Sequence, residues 1–134
     1  MKPDNMPWLS PYLIVQDVEK SIEFYKSAFG FELTKAMKDD NDKITHAELK
    51  YHDAIIMIGL EGEFDGEEFK SPATTKHKQY SFLYLYVDEV DKFFDKAISL
   101  GATVINPPMD KAWGDRMCSM ADIDDYRWSF GTAT

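Results

Sequence analysis

The stretch Leu13-Ile14-Val15-Gln16-Asp17-Val18-Glu19-Lys20, which runs on into Phe29-Gly30-Phe31, is repeated later in the chain. The second copy reads Leu85-Tyr86-Val87-Asp88-Glu89-Val90-Asp91-Lys92 and runs into Leu100-Gly101-Ala102. Val15 and Val87 are 72 positions apart (87 − 15) and the two glycines 71 (101 − 30), so one residue is lost inside the helix. Each copy reads as an apolar strand, an acidic turn, an amphipathic helix, a glycine stop and another strand. A repeat of about half the chain implies two similar modules, with a cavity possible where they meet.

Outward from the first copy, the approach is rich in proline (Pro3, Pro7) and leads into a strand over 8–15. Asp17 is placed to cap the helix, and Val18, Ile22, Tyr25 and Phe29 give it a buried stripe at helical spacing. Gly30 sits at the position of a left-handed stop. Strands are expected over 31–37, 44–51 and 54–60, with a polar hairpin loop at 38–43 and a tight turn at His52-Asp53. The second copy gives strands over 80–87, 103–105, 116–120 and 126–131, and a helix with an apolar face of Val90, Phe93, Phe94, Ala97, Ile98 and Leu100. The fold class is α+β: a single domain over 1–134 of two βαβββ modules (8–60 and 80–132) forming a curved mixed sheet with a central groove and helices outside. The 61–79 connector, acidic first and basic later, has a length typical of a functional lid or a flexible linker.

Alternation assigns faces. Ala47, Leu49 and Tyr51 form one side of the third strand, and His46, Glu48 and Lys50 the other. In the fifth strand Leu83, Leu85 and Val87 face the helix, and Phe82, Tyr84 and Tyr86 face away. An aromatic wall opposite a polar stripe describes a ligand groove and equally a packed sheet interior.

Length and composition bound the rest. The chain has 134 residues, 44% apolar and 14% aromatic, which suits one soluble globular domain. No apolar run is long enough to span a bilayer, and the first residues carry no signal-peptide hydrophobic stretch. Cys118 is the only cysteine, compatible with a reducing cytoplasm. Fifteen basic and 24 acidic residues give a net charge of −9, which disfavours nucleic acid as a partner and suits a cationic or neutral ligand. The same acidity also simply keeps a protein soluble.

Several segments resemble the vicinal oxygen chelate superfamily, which includes glyoxalase I, extradiol dioxygenases and bleomycin-resistance proteins. They are the Val-x-Asp-Val-x-Lys-Ser-Ile-x-Phe-Tyr helix start (Val15 to Tyr25), the Phe29-Gly30 stop and the paired modules. Ser10-Pro11-Tyr12-Leu13, His46-Ala47-Glu48-Leu49, Ser71-Pro72-Ala73-Thr74, Trp113-Gly114-Asp115-Arg116 and the terminal Trp128…Ala133-Thr134 look like its small PhnB-like branch. The resemblance covers nearly the whole chain from Trp8 onward. It implies an active site on the concave face between the modules, frequent homodimers, and in metal-dependent members four ligands, two per module. Those positions map to Ser10, Glu48, Phe82 and Ser129. Only Glu48 is a suitable ligand, since phenylalanine has no lone pair and neutral serine binds divalent metals poorly. His46 shares Glu48's face, while His52 and His77 lie in a turn and in the connector.

The expected function is therefore metal-independent binding of a small molecule, with no cofactor. The groove would be lined by Tyr12, His46, Glu48, Phe82, Tyr84, Trp113 and Arg116. Glu48, placed beside aromatic rings, would face a ligand cation or serve as a general base; the alternative is a solvated or lysine-paired carboxylate. Tyr84, Tyr86 and Trp113 would attract a cation through their ring faces. Arg116 either meets an anionic part of the ligand or pairs with Asp115 at a structural corner. Competing readings are a metal-assisted lyase, isomerase or dioxygenase, with a divalent metal held by an unusual ligand set, and a metal-free proton-transfer enzyme. A third is an interaction module whose groove is filled by its own side chains. Asp122-Ile123-Asp124-Asp125-Tyr126 replaces a glycine-containing hairpin of the family and places Asp125 where positive φ is expected. Cys118, in an apolar strand without a basic neighbour in sequence, reads as an inert thiol.

Overall fold

The structure, a computed structural model, describes residues 1–63 and 68–134. The first module runs β1 (Tyr12–Val15), α1 (Val18–Ser27), β2 (Glu32–Lys38), β3 (Ile44–Tyr51) and β4 (Ala54–Leu60). After a short α2 (Pro72–Thr75) the second runs β5 (Leu83–Tyr86), α3 (Val90–Ser99), β6 (Thr103–Asp110), β7 (Asp115–Ala121) and β8 (Arg127–Ala133). Each module makes its own four-stranded sheet, in the orders β1-β4-β3-β2 and β5-β8-β7-β6. The first strand of each pairs parallel with the last, Tyr12 beside Met57 and Tyr84 beside Ser129. The paired βαβββ architecture is as expected, with each module contributing one curved mixed sheet.

Local chemistry explains the elements. Asp17 caps α1 by accepting from the Lys20 amide at 3.0 Å. The Phe31 amide then reaches back to the Tyr25 carbonyl and closes the helix end around Gly30, φ +73°. At β3, Ala47 and Leu49 are buried under α1 while His46, Glu48 and Lys50 take the other face. β1 and β5 are shorter than expected because the residues before them, 8–11 and 80–82, stay outside the ladders. β6 is longer and runs through Pro107 and Pro108. It is an edge strand with register shifts at that point, so the missing amide protons cost it little.

The helix-covered faces of the two sheets share one core. Phe29 of the first module contacts Phe93 and Phe130 of the second, with centroids 6.0 and 4.8 Å away, and Trp128 meets Tyr25 and Phe31 at 5.8 Å. The β7–β8 turn locks the modules together. Asp122 accepts from the Tyr25 hydroxyl, and Asp124 accepts from the Gln16 amide at 2.8 Å. The Tyr126 hydroxyl donates to the Ile14 carbonyl at 2.8 Å and accepts from its amide at 2.9 Å, sealing the free edge of β1. Asp125 holds φ +65° in this turn, as its place in the sequence suggests.

The described part of the connector docks on the same turn. Glu61 accepts from the Ser71 amide and the Thr74 hydroxyl, and the Ala73 amide donates to the Asp124 carbonyl. The remainder of the proposed lid, residues 64–67, lies outside the described residues. No helix among those described is long and apolar enough to cross a membrane.

Candidate functional site

The open face of the first sheet carries three of the expected site residues. The Tyr12 hydroxyl lies 3.0 Å from His46 Nδ1, and His46 Nε2 lies 3.5 Å from a Glu48 oxygen. Burial and the Glu48 charge raise the Tyr12 phenol above its usual range. The Glu48 side chain is 13% exposed. It forms part of a groove of about 410 Å³ whose other walls are Lys2, Pro3, Asn5, Met6, Pro7, Trp8, Ser10, Lys35 and Met57. The N-terminal segment thus supplies most of one wall. The Lys2 ammonium stands 5.2 Å from the centroid of the Trp8 ring. The Ser10 hydroxyl is buried and has no hydrogen-bond partner among the described residues.

The open face of the second sheet carries a different cluster. Asp115 Oδ2 accepts from the Tyr84 hydroxyl at 2.8 Å, the Tyr86 hydroxyl at 2.9 Å and Trp113 Nε1 at 3.2 Å. These bonds, led by that from Tyr84, hold the Asp115 carboxyl below the usual carboxylate range. Burial and the same contact push the Tyr84 phenol up to about 12. Phe82 lies just ahead of β5 and is half-exposed.

The expected single groove is therefore divided. The Glu48 groove is lined by first-module residues and the N-terminal segment alone. Tyr84 belongs to the other sheet and Trp113 to its β6–β7 turn. Arg116 belongs to neither face. It is one residue out of step with Asp115, so its guanidinium turns to the helix side, where it holds Asp91 of α3 through two bonds of 2.8 and 3.0 Å and Asp110 at 3.3 Å. Asp115 does not pair with it.

The mapped metal positions do not fit a divalent ion. The Ser129 hydroxyl is buried and engaged with Ser119 at 2.9 Å, and Phe82 offers no donor. Both ring nitrogens of His46 already face Tyr12 and Glu48. The strand register adds a further point: Met57, beside Tyr12, is the internal counterpart of Ser129 beside Tyr84, whereas Glu48 corresponds to Ser119. Among the described residues no three of histidine, cysteine, aspartate and glutamate gather as a ligand set. Cys118 is fully buried, and burial pushes its thiol up to about 11, so it is no nucleophile at neutral pH.

Sequence reasoning overlooked the groove walls supplied by residues 2–8 and the role of Asp115 as the common acceptor. The signal for Asp115 was present in Trp113-Gly114-Asp115 opposite two tyrosines at alternate positions of one strand. Nothing in the periodicity points to the N-terminal segment.

A family model described as glyoxalase/bleomycin resistance protein/dioxygenase superfamily matches residues 6–130. The chain is 31% identical over 126 residues to an uncharacterized protein of Mycobacterium bovis, Mb0911c, covering 93% of this chain and 82% of that one. Among solved structures it is similar to TioX from Micromonospora sp. ML1, with a TM-score of 0.73, 23% identity, and coverage of 94% of this chain and 98% of that one. It is also similar to a mutant of the fosfomycin resistance protein FosX from Listeria monocytogenes complexed with Mn(II). There the TM-score is 0.70 and the identity 20%, with 96% of this chain and 92% of that one covered.

Proposed function

The chain belongs to the glyoxalase/bleomycin resistance protein/dioxygenase superfamily, and on that premise we propose that it binds, without a metal, a small amphipathic molecule carrying a basic nitrogen. The observation that carries this reading is the setting of Glu48, a largely buried carboxylate in a groove whose apolar walls are Pro3, Met6, Pro7, Trp8 and Met57. A groove of about 410 Å³ lies within the range that holds drug-sized ligands. Glu48 offers a counter-charge, and the orphaned Ser10 hydroxyl offers a hydrogen bond that a ligand would complete.

The test is a thermal-shift panel of aromatic amines, uncharged aromatic analogues and dicarbonyl compounds. Amines should raise the melting temperature with concentration, and Glu48→Gln should abolish the response. A flat response across the panel would contradict the proposal and favour a groove filled by the protein's own N-terminal segment.

The chain of contacts from Tyr12 through His46 to Glu48 favours a second reading. In it Glu48 is a general base, taking a proton from the bound substrate, with His46 at its side to offset the charge change. Here Glu48→Gln removes turnover and spares binding, the opposite partition. A homodimer is carried over from the resemblance and a cytoplasmic setting from the single cysteine, and light scattering at twice the monomer mass is the expected result for the first. The PhnB-like branch rests on the sequence segments that suggested it.

A further inference from the structure

The segment before β1 lies along the first sheet without being bonded to it. Among the described residues, no hydrogen bond or ion pair ties residues 1–10 to the rest of the molecule. The first such tie is at Pro11, whose carbonyl accepts from the Met57 amide at 2.9 Å. The bonds of the segment are internal: the Met6 amide donates to the Pro3 carbonyl at 3.2 Å, and the Lys2 ammonium stands over the Trp8 ring. Space lies on both sides of it. Asn5, Met6 and Pro7 wall the Glu48 groove and, from behind, a second hollow of about 350 Å³ whose far side is Lys50, His52, Asp53 and Ile55. Trp8 and the adjacent Leu9 are each 85% exposed. Trp113 and Trp128 donate their indole N–H groups to Asp115 and Tyr25, whereas that of Trp8 meets no acceptor among the described residues. From this arrangement we infer that the segment is a strap, hinged at Leu9, that closes over an occupied Glu48 groove and lays Trp8 on the ligand. The inference rests on the binding proposed for that groove.

The physics favours a hinged motion. A segment with no hydrogen bonds to its support opens at low free energy. Proline fixes its own φ and holds the residue before it extended. Pro3 and Pro7 therefore stiffen the strap and Pro11 restrains Ser10, which leaves Leu9 as the freest joint. Tryptophan carries a large apolar surface, and at the mouth of the groove that surface stands in water. An apolar ligand beneath it supplies the partner it lacks. Met6 and Pro7 move with the ring, so closing on the Glu48 side and opening on the His52 side are one motion. That coupling separates a strap from a fixed wall, because His52 lines the hollow behind the segment and not the groove.

2-Phenylethylamine is the probe, added to the full chain carrying 5-fluorotryptophan, with binding followed in parallel by calorimetry. Trp8→Phe identifies the Trp8 fluorine resonance, and His52→Gln identifies the His52 ring protons. Without the amine, the Trp8 resonance should be narrow and that of the buried Trp128 broad. At saturating amine the Trp8 resonance should broaden and shift, and the His52 ring protons should shift in step with it. Trp8→Ala should weaken amine binding about tenfold and leave the melting temperature of the free protein unchanged. A free-state Trp8 resonance as broad as that of Trp128, or calorimetric binding that leaves His52 unmoved, would overturn the strap and spare the groove. Absence of calorimetric binding alongside a narrow Trp8 resonance would overturn the groove reading and the closure that rests on it.

Discussion

Gly131 and Gly59 show how single residues set the open faces. Each lies under a tyrosine ring of the parallel neighbour strand, and an added Cβ would meet Tyr84 at 2.5 Å or Tyr12 at 2.8 Å. Gly131→Ala should therefore lift the Tyr84 ring, break its bond to Asp115 and destabilise the protein by about 1–3 kcal/mol. A melting temperature equal to that of the unchanged protein would show that the ring moves aside freely. The sidedness of residues was legible in the sequence. Alternation put Glu48 with His46 and Tyr84 with Tyr86, and the same parity rule explains why Arg116 fails to join Asp115. What alternation does not encode is which open faces end up together.

At the level of elements, the two copies of the repeat differ at their helix starts. Asp17 caps α1 with its side chain, whereas Glu89, its counterpart before α3, makes no side-chain cap. The extra methylene of glutamate is offset at α3 by the Thr132 hydroxyl, which accepts from the Val90 amide at 3.0 Å. Asp17→Ala should cost about 1 kcal/mol, while Glu89→Ala should change thermal stability far less. Equal losses would mean that the caps are not what distinguishes the helices. β3 and β4 were readable to the residue because alternation and the His52-Asp53 turn frame them. β1, β5 and β6 were not. Parallel pairing at a sheet edge and proline at an unpaired edge are settled by which strand lies alongside, which alternation within the strand itself does not encode.

Across the whole molecule, the modules are held by a shared aromatic core and by buried carboxyls at the β7–β8 turn. Burial pushes Asp122 up to about 7 from 3.8, against the stabilising bond from Tyr25, with Asp124 adding like charge. The folded protein therefore holds a proton between about pH 4 and 7 that the unfolded chain has released, so this contribution to stability falls as pH rises through that window. Asp91 and Asp115, both lowered, act in the opposite sense and lose their contribution as pH falls below the usual carboxylate range. Asp122→Asn should flatten the decline between pH 4 and 7 in denaturant titrations. An unchanged slope would remove Asp122 from the explanation. The duplicated fold was visible in the sequence, because it rests on repeat spacing. The groove was not, because its wall is an N-terminal segment without periodicity that acquires a role only when laid beside Glu48, Lys35 and Met57. The decisive experiment is calorimetric titration of an aromatic amine into the protein with and without a strong chelator, repeated on Glu48→Gln. Affinity that ignores the chelator and collapses with Glu48→Gln is the expected result. Affinity that vanishes with the chelator and survives the substitution would contradict metal-free recognition by Glu48.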